Sequence, residues 1–294
     1  MRILLTGSSG MIGSRLIGEF SDRHEFVTLG RRPTPVAGGS IRHVFHDFSA
    51  TTKPLDLPTD DRFDAIVHLA QARRFRDFPD AITETFLVNS LSTLSLLEYG
   101  RLTGVDTFVL ASTGGLYEPS RDALTETSPI KHPCDLDPYF GSKLAAEAMC
   151  GAYSSLFRIV VPRFFFPFGP RQDPGQLFPR LVGSVKEGRP IRLGGDAGLE
   201  FNPIPAGIAA DVVESMLHSE ISGPVNVAGS EVIDLRAFVG YISSALGRKA
   251  VFEDVGQADR LVADVTVLGS FWSRSVYSLE EAVREATVSQ ADSR

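Results

Sequence analysis

Short apolar segments alternate along the first half of the chain with longer segments of helical periodicity. The apolar segments are nearly continuous and rich in Val, Ile and Phe, as expected of strands buried on both faces. They are Ile3–Leu5, Phe26–Leu29, Val44–His46, Ala65–Leu69, Thr107–Ala111 and Arg158–Phe164, and the helical segments between them are Met11–Phe20, Ala81–Tyr99 and Tyr139–Ser155. Because strands and helices alternate, the pattern predicts right-handed crossovers and a parallel sheet.

The regular alternation ends in the segment Phe164–Pro170. Beyond it the pattern is less regular and predicts helices at Leu177–Gly188, Leu235–Leu246 and Leu279–Glu285 and one strand at Val225–Ala228. We therefore expect an α/β protein with a Rossmann-type, doubly wound parallel sheet in residues 1–165. Residues 166–294 are expected to form mainly a smaller C-terminal substrate-binding lobe, with a segment near 200–230 returning to the sheet.

Composition and charge narrow the class of protein. The 294 residues are 43% hydrophobic and 22% charged, which is ordinary for a globular protein of about two domains. Lys and Arg number 29 against 36 Asp and Glu, a net charge of −7 that argues against a nucleic-acid partner. No segment predicts a membrane span or a signal peptide, so we expect a cytoplasmic protein. The two cysteines and six histidines show no metal-ligand spacing, and no metal is expected.

A glycine-rich turn follows the first predicted strand and opens the first predicted helix. Its sequence, Thr6-Gly7-Ser8-Ser9-Gly10-Met11-Ile12-Gly13, has the spacing GxxGxxG. Glycine permits a tight turn and a close approach of the backbone to phosphate, and the helix N-terminus attracts an anion. The turn therefore predicts a dinucleotide site at Gly7, Ser9, Gly10, Met11, Ile12 and Gly13.

The end of the second strand indicates which dinucleotide is preferred. An acid that binds the adenosine ribose of NAD is usual there, but this strand ends in Gly30-Arg31-Arg32. Two arginines suit a 2′-phosphate, so NADP is favoured over NAD; a solvated basic loop is the alternative. Asp47, after the third strand, could accept a hydrogen bond from the adenine amino group.

Tyr139 and Lys143 are four residues apart on a predicted helix and therefore share one face. Free tyrosine has a pKa near 10, and a neighbouring ammonium group or a positively charged cofactor would lower it. Tyr139 is thus a candidate proton donor or acceptor, and Thr113, after the fifth strand, could hold the substrate oxygen. The alternative is an amphipathic helix with a half-buried tyrosine and a surface lysine.

The ordered set of these motifs resembles the extended short-chain dehydrogenase/reductase superfamily, in its NAD(P)-dependent epimerase/dehydratase branch. The matching segments are Thr6–Gly13, Asp47-Phe48, His68-Leu69-Ala70, Asn89, Ser112-Thr113 with Tyr117, and Tyr139 with Lys143. The resemblance implies that Thr113, Tyr139 and Lys143 are catalytic and that Lys143 also binds the nicotinamide ribose. It further implies cofactor contacts at Phe48, Leu69, Ala70, Asn89 and Phe165.

The sequence departs from this branch where nucleotide-sugar enzymes hold the substrate diphosphate. Phe166 stands in place of the usual Asn, and Glu200 in place of the usual Arg. Arg171 and Arg180 could supply charge instead, and the substrate contacts are predicted at Thr113, Tyr139, Phe166 and Arg171. Gly114-Gly115 replaces the acidic pair that dehydratases place after the catalytic Thr.

These features predict an NADP(H)-dependent oxidoreductase that reduces a carbonyl, or oxidises an alcohol, of a small molecule or sugar-type substrate. Two alternatives stay open: a nucleotide-sugar epimerase or 4-ketoreductase, and a non-catalytic NADP-binding sensor. The resemblance also implies a homodimer, built from the helices at Ala81–Tyr99 and Tyr139–Ser155.

Overall fold

The computed structural model describes residues 1–34, 40–50, 55, 57–58, 60–273 and 277–292. The strands in this part of the chain are β1 Arg2–Thr6, β2 Glu25–Gly30, β3 Ile41–Phe45, β4 Ala65–His68, β5 Thr107–Leu110, β6 Ser112–Thr113, β7 Arg158–Phe164, β8 Pro167–Phe168, β9 Ile191–Leu193, β10 Glu200–Phe201, β11 Ile204–Pro205, β12 Gly223–Val227, β13 Ile233–Asp234, β14 Phe252–Asp254 and β15 Arg260–Leu261. The α-helices are α1 Met11–Phe20, α2 Ile82–Phe86, α3 Ser92–Thr103, α4 Pro138–Tyr153, α5 Leu177–Glu187, α6 Ala206–His218, α7 Leu235–Leu246, α8 Thr266–Phe271 and α9 Leu279–Asp292.

The predicted parallel sheet is confirmed. Its strands lie in the order β12-β7-β5-β4-β1-β2-β3, all parallel, with β6 continuing the pairing along β7. The chain leaves β1 toward β2 on one side and later returns to β4 on the other, so the strand order reverses at β1. A crevice forms at such a reversal, at the carboxyl ends of the strands, and this is where ligands bind in open α/β sheets.

The nearly continuous apolar segments follow from a sheet that is covered on both faces. Ile3 and Leu5 of β1 pack on one face with residues of α1 and α6. Leu4 points the other way and packs with residues of α3 and α4. Both environments are fully buried, so the three central positions Ile3–Leu5 are all apolar. The same pattern holds in the neighbouring strands and makes them visible in the sequence.

The helix predicted at Ala81–Tyr99 is interrupted. It begins at Ile82, widens into one π-helical turn at Leu87–Leu91 and resumes as α3, which ends at Gly104 with a φ of +70°. The apolar spacing predicts a helix but not the extra residue in this turn. The turn carries Asn89, whose buried side chain binds two neighbouring segments, as described below.

Residues beyond β7 build a second apolar cluster. Phe168, Phe178, Phe201 and Phe238 pack there with ring centroids 5.3–6.1 Å apart, between helices α5, α7 and α9. Three small sheets of two or three strands surround this cluster, while β12 joins the main sheet. Strands of two residues have no readable periodicity, and the sequence did not predict them.

Among the described residues, no helix is both long enough and apolar enough to cross a membrane.

Candidate active site

A cavity of about 780 Å³ lies at the carboxyl ends of the parallel strands. Nearly every residue predicted to bind cofactor or substrate lines it: Gly7, Ser9, Gly10, Met11, Ile12, Gly13, Arg31, Arg32, Asp47, Phe48, Leu69, Ala70, Thr113, Tyr139, Lys143, Phe165, Phe166 and Arg171. Asn89 is the exception, because it is buried behind the wall. The cavity volume falls in the range of small-molecule and cofactor sites, about 300–1,000 Å³.

The glycine-rich turn fits closely against the loop that follows β4. Gly7 has a φ of +72°, and a Cβ atom there would lie 2.7 Å from the backbone nitrogen of Ala70 and 2.8 Å from the carbonyl oxygen of Leu69. Among the described residues, no side chain caps the N-terminus of α1, where Gly10 is the N-cap. The first N–H groups of α1 are therefore free to bind an anion such as a pyrophosphate.

A buried chain of hydrogen bonds fixes this turn to the rest of the site. Ser92 Oγ donates to the carbonyl of Val88, so it accepts from His68 Nε2 at 2.9 Å. His68 Nδ1 then accepts from Thr6 Oγ1 at 2.6 Å, and Thr6 Oγ1 accepts from the N–H of Ala70. Burial lowers the pKa of His68 to about 3, with the charge of Lys143 adding to the effect. His68 is therefore a neutral structural residue.

The end of β2 is basic, as the sequence predicts. Arg31 and Arg32 are exposed at the cavity, and Arg31 Nε lies 4.0 Å from Asp47 Oδ1. Burial alone would raise the pKa of Asp47, but hydrogen bonds from Ser49 and the charge of Arg31 outweigh it and lower that pKa. Asp47 is thus ionised and lines the same cavity, next to Arg31.

Helix α4 carries Tyr139 and Lys143 into the cavity. Asp137 caps the helix by accepting from the N–H of Phe140 at 2.9 Å, and Pro138 occupies the first turn, where its missing N–H costs nothing. Tyr139 and Lys143 then follow one turn apart. This start signal is local, which explains why the sequence placed the helix to within one residue.

Asn89 fixes the position of α4 from behind. Its Oδ1 accepts from the N–H of Ala72 at 2.9 Å, and its Nδ2 donates to Ser142 Oγ at 2.9 Å. Ser142 Oγ in turn donates to the carbonyl of Tyr139 at 2.7 Å. The π-helical turn therefore ties the loop after β4 to the first turn of α4.

The Tyr139 side chain is held by one hydrogen bond and two aromatic neighbours. Its hydroxyl donates to Gln71 Oε1 at 3.2 Å. The ring packs against Phe75 and Phe140, with centroids 4.6 and 5.2 Å away. Neither Gln71 nor Phe75 belongs to the predicted set of site residues.

The pKa of Tyr139 is raised well above its usual value. Burial is the main cause, the Asp137 carboxylate adds to it, and the Arg76 guanidinium opposes it. The sequence suggested that the neighbouring ammonium group would lower this pKa, but the opposing charge in this structure comes from Arg76. Tyr139 is therefore a neutral phenol in this structure.

Lys143 is almost fully buried, and its Nζ donates to the carbonyl of Ala111 at 2.9 Å. Burial lowers its pKa to about 8, although the Glu147 carboxylate one turn further along α4 opposes the change. The predicted alternative of a surface lysine is therefore wrong.

The lowered pKa of Lys143 predicts a pH dependence of stability. Between about pH 8 and the usual lysine value near 10.4, the unfolded chain binds a proton that the folded chain has lost, so the free energy of unfolding rises with pH by up to about 3 kcal/mol. Lys143→Met should lack this rise. Urea unfolding across that pH window measures it, with Lys249→Met as the exposed control; identical pH profiles for Lys143→Met and the unmodified protein would contradict the prediction.

A buried polar network lies beneath Lys143. Arg163 donates to both carboxylate oxygens of Glu147, at 3.1 and 2.7 Å, and to the hydroxyl of Tyr117 at 2.7 Å. Tyr117 then donates to Asn226 Oδ1 of β12 at 2.8 Å, and Ser112 Oγ donates to Glu147. The network links α4, β7 and β12, so it fixes the helix that carries Lys143 against the sheet.

The Gly114-Gly115 pair is explained by packing. A Cβ atom on Gly114 would lie 2.4 Å from the ring of Phe165, and one on Gly115 would lie 2.3 Å from the ring of Phe140. An acidic pair could not fit here without displacing both rings. Next to the pair, Thr113 Oγ1 accepts from the N–H of Gly115 at 3.1 Å and faces the cavity.

The positions that depart from the family pattern have distinct surroundings. Phe166 adopts a φ of +45°, uncommon for a bulky residue, and packs edge-on against Phe201 at the cavity. Glu200 forms an ion pair with Arg260 in the neighbouring strand and does not line the cavity. Glu200 stands in place of the usual Arg, but its charge is neutralised by Arg260 away from the site. Arg171, with a φ of +66°, does line the cavity.

Gln71 and Glu147 were missed from the sequence, whereas Arg76 belongs to a basic segment, 73–76, that could face a substrate anion or form a solvated loop. Gln71 and Arg76 belong to the loop after β4, and Arg76 also donates to the carbonyl of Gly175 at 2.6 Å. Glu147 lies one turn beyond Lys143 on α4. Its spacing from Lys143 was a usable signal, whereas nothing local marks Gln71 or Arg76 as neighbours of Tyr139.

Comparison with known proteins gives consistent matches. The model of the NAD dependent epimerase/dehydratase family matches residues 3–217. An uncharacterized UDP-glucose epimerase of Bacillus subtilis (strain 168) is 29% identical over 290 residues, covering 90% of each chain, and a protein of Rhizobium meliloti (strain 1021) named "Probable UDP-glucuronate 4-epimerase" is 26% identical, covering 85% of this chain and 84% of its own. The structure of UDP-glucuronic acid 4-epimerase from Bacillus cereus with NAD superposes with a TM-score of 0.84 at 21% identity, covering 99% of both chains.

Proposed function

The chain belongs to the NAD-dependent epimerase/dehydratase family, and from this premise we propose that it is a nucleotide-sugar 4-epimerase. It is an NAD(P)-dependent enzyme of the extended short-chain dehydrogenase/reductase type, so the sensor alternative is set aside. The names of its relatives favour a nucleotide-sugar epimerase over the general carbonyl reductase that the sequence placed first. We also propose that residues 1–165 form the cofactor-binding domain and that residues 166–294 form mainly the substrate-binding lobe.

One observation carries the proposal: one cavity is lined by the glycine-rich turn and by Thr113, Tyr139 and Lys143. It is also lined by an aromatic wall beyond β7, formed by Phe166, Phe178, Phe201 and Phe238. A dinucleotide and a second large ligand can therefore meet at Tyr139. The uncapped N-terminus of α1 fits a dinucleotide pyrophosphate. When bound, the nicotinamide supplies reversible hydride transfer.

The chain's own residues then supply orientation and proton transfer. In our proposal Tyr139 exchanges a proton with the sugar hydroxyl, as a base when the alcohol is oxidised and as an acid when the ketone is reduced. Thr113 holds the same oxygen by a hydrogen bond. Lys143 binds the nicotinamide ribose, and its charge offsets part of the cost of an ionised Tyr139.

Because Glu200 replaces the usual Arg, the substrate diphosphate needs positively charged side chains from other positions. Arg171 and Arg76 line the cavity and could supply them, while Glu200 is paired elsewhere. Gln176 and Leu177, at the start of α5, also line the cavity and are our candidates for contacts with the base. Phe166 provides an apolar contact at the position where nucleotide-sugar enzymes of this branch usually have an Asn.

The test is conversion of a nucleotide sugar without net consumption of cofactor. We expect purified protein with NAD or NADP to convert UDP-glucose or UDP-glucuronic acid to its 4-epimer, as resolved by chromatography, with no accumulating NADH or NADPH absorbance. If none of these sugars nor dTDP-glucose is converted, and no UDP binding is detected by calorimetry, the proposal is overturned.

A second candidate, reduction of a less polar carbonyl compound, is favoured by the aromatic wall. Phe166, Phe178, Phe201 and Phe238 line the cavity, and none of them can bind a diphosphate. Steady oxidation of NADPH with an aromatic aldehyde or ketone, together with inactivity on nucleotide sugars, would favour this candidate. An epimerase returns the hydride to its substrate and gives no such steady signal.

The preference for NADP stays a prediction that rests on Arg31 and Arg32, because similar solved structures contain NAD. We expect the double variant Arg31→Ala/Arg32→Ala to lose NADPH affinity by roughly tenfold and to retain NADH affinity, since one hydrogen bond to a charged group is worth about 1.5–3 kcal/mol. Fluorescence titration measures both constants. Equal affinities for NADH and NADPH in the unmodified protein would show the prediction to be wrong.

We also propose that the protein is a homodimer formed through the helices at 82–103 and α4. Ile82, Phe86, Leu91, Leu94 and Leu102 are exposed along the first of these segments, with 37–59% of their surface accessible. A row of exposed apolar side chains along one helical segment is typical of an interface between subunits. Sedimentation equilibrium of the purified protein tests this.

A further inference from the structure

Three side chains that could ligate a metal meet at the edge of the sheet opposite the cavity. His24 lies just before β2, at the amino ends of the parallel strands. Glu214 and His218 lie one turn apart at the end of α6, which packs against α1. One ligand atom from each of the three lies within 4.8 Å of the other two.

The distances from Glu214 to the two imidazoles suit a tetrahedral ion. Glu214 Oε1 lies 3.6 Å from His24 Nε2 and 3.3 Å from His218 Nε2. A zinc ion with bonds of about 2.0–2.2 Å and tetrahedral angles places its ligands about 3.4 Å apart. The imidazole rings of His24 and His218 stack with centroids 5.7 Å apart, so both can direct Nε2 toward Glu214.

His24 supplies an independent sign that a ligand is needed. Its side chain is 97% buried, and Nε2 makes no hydrogen bond with any described residue. The amine nitrogen of Met1 lies 3.4 Å from Nδ1, and Nε2 lies on the side of Glu214. With a metal on Nε2, the ring proton is on Nδ1. Buried nitrogens without a partner are rare in native proteins, because each forfeits its hydration without replacement.

We propose that His24, Glu214 and His218 form a binding site for Zn²⁺. Two imidazoles and one carboxylate are ligands that zinc accepts, whereas calcium and magnesium favour oxygen ligands. His218 is 52% exposed, so the fourth position opens to water. The ion would join the start of β2 to the end of α6 and so tie these two elements together.

Charged groups of both signs surround the cluster. Glu19 and Asp211 form a hydrogen bond between α1 and α6, and burial raises the pKa of each. Arg23 Nη1 lies 3.8 Å from Glu214 Oε1, but this side chain is 67% exposed and can turn into solvent when a cation binds. The Met1 amine lies 3.4 Å from His24 Nδ1.

The test is zinc binding by tag-free protein that has been treated with a chelator and dialysed. We expect calorimetry to give one Zn²⁺ per chain, and Co²⁺ to give the visible absorption of a tetrahedral site. His218→Ala should lower zinc affinity at least tenfold, because even an outer-shell partner is worth about 10–100-fold. Glu214→Gln should have a similar effect.

The matched control is His132→Ala, which removes another exposed histidine outside the cluster. It should bind zinc as the unmodified protein does. His218 is largely exposed, so its variant should fold normally, and circular dichroism checks this. Absence of saturable binding, or equal affinity in His218→Ala and the unmodified protein, would overturn the site while leaving the proposed epimerase function unaffected.

Discussion

Tyr139→Phe is expected to lower turnover by about 10²–10⁴-fold, the usual contribution of a general acid or base. The phenylalanine ring keeps the packing against Phe75 and Phe140, so the cavity retains its shape. Only the hydroxyl that donates to Gln71 is lost. Cofactor affinity should therefore be unchanged, and kcat should fall far more than KM rises. Single-turnover hydride transfer at saturating cofactor is the measurement.

Tyr153→Phe provides a matched control on the same helix. Its hydroxyl donates to Glu98 on the outer side of α4, away from the cavity lining. This variant should turn over at the rate of the unmodified protein. A rate in Tyr139→Phe within about threefold of the unmodified protein would fall well short of acid–base catalysis and would remove Tyr139 from the proposed chemistry.

Arg163→Met is expected to destabilise the fold by about 3–5 kcal/mol, because it leaves the Glu147 carboxylate buried without its partner. Only 6% of the Arg163 side chain and 9% of the Glu147 side chain are exposed. The substitution also removes the donor to the Tyr117 hydroxyl. Urea unfolding monitored by circular dichroism gives the free energy, and the midpoint should move without a large change in slope.

The exposed pair of Arg101 and Glu98 is the control for that experiment. Arg101→Met removes an ion pair of similar length at the surface, where solvent screens the charges, and should leave the unfolding curve almost unchanged. The double variant Arg163→Met/Glu147→Leu should recover part of the lost stability, since it leaves no unpaired charge. A small effect in Arg163→Met would show that water reaches Glu147 and that the network does not fix α4.

The features predicted correctly from the sequence are those with local causes. Strands such as Ile3–Leu5 are apolar at every position because both faces of the sheet are covered. The glycine-rich turn and the start of α4 each occupy a few consecutive residues. Parallel topology then brings the ends of these strands to one edge, which is why Thr113, Tyr139 and the glycine-rich turn line the same cavity.

The features that were missed depend on contacts between distant segments. Gln71 and Tyr139 are 68 residues apart, and the sequence gives no sign that one accepts from the other. Glu200 was judged by its place in a pattern, but its partner Arg260 in β15 decides its role. The histidines were judged by spacing along the chain, which cannot bring His24 near His218. Each of these interpretations used sequence separation where distance in space matters.

The π-helical turn at Leu87–Leu91 makes the number of residues in this helix a constraint in its own right. The wider turn accommodates one residue more than an α-helix would, so deleting one residue of the turn would let it close into regular α-helix, whereas deleting a residue of α2 or α3 would rotate α3 by about 100° relative to α2. Leu96 and Leu97, which are fully buried, would then swing toward solvent, or Asn89 would lose Ser142. We therefore expect insertions and deletions to be tolerated before Ile82 or after Gly104 rather than within α2 or α3.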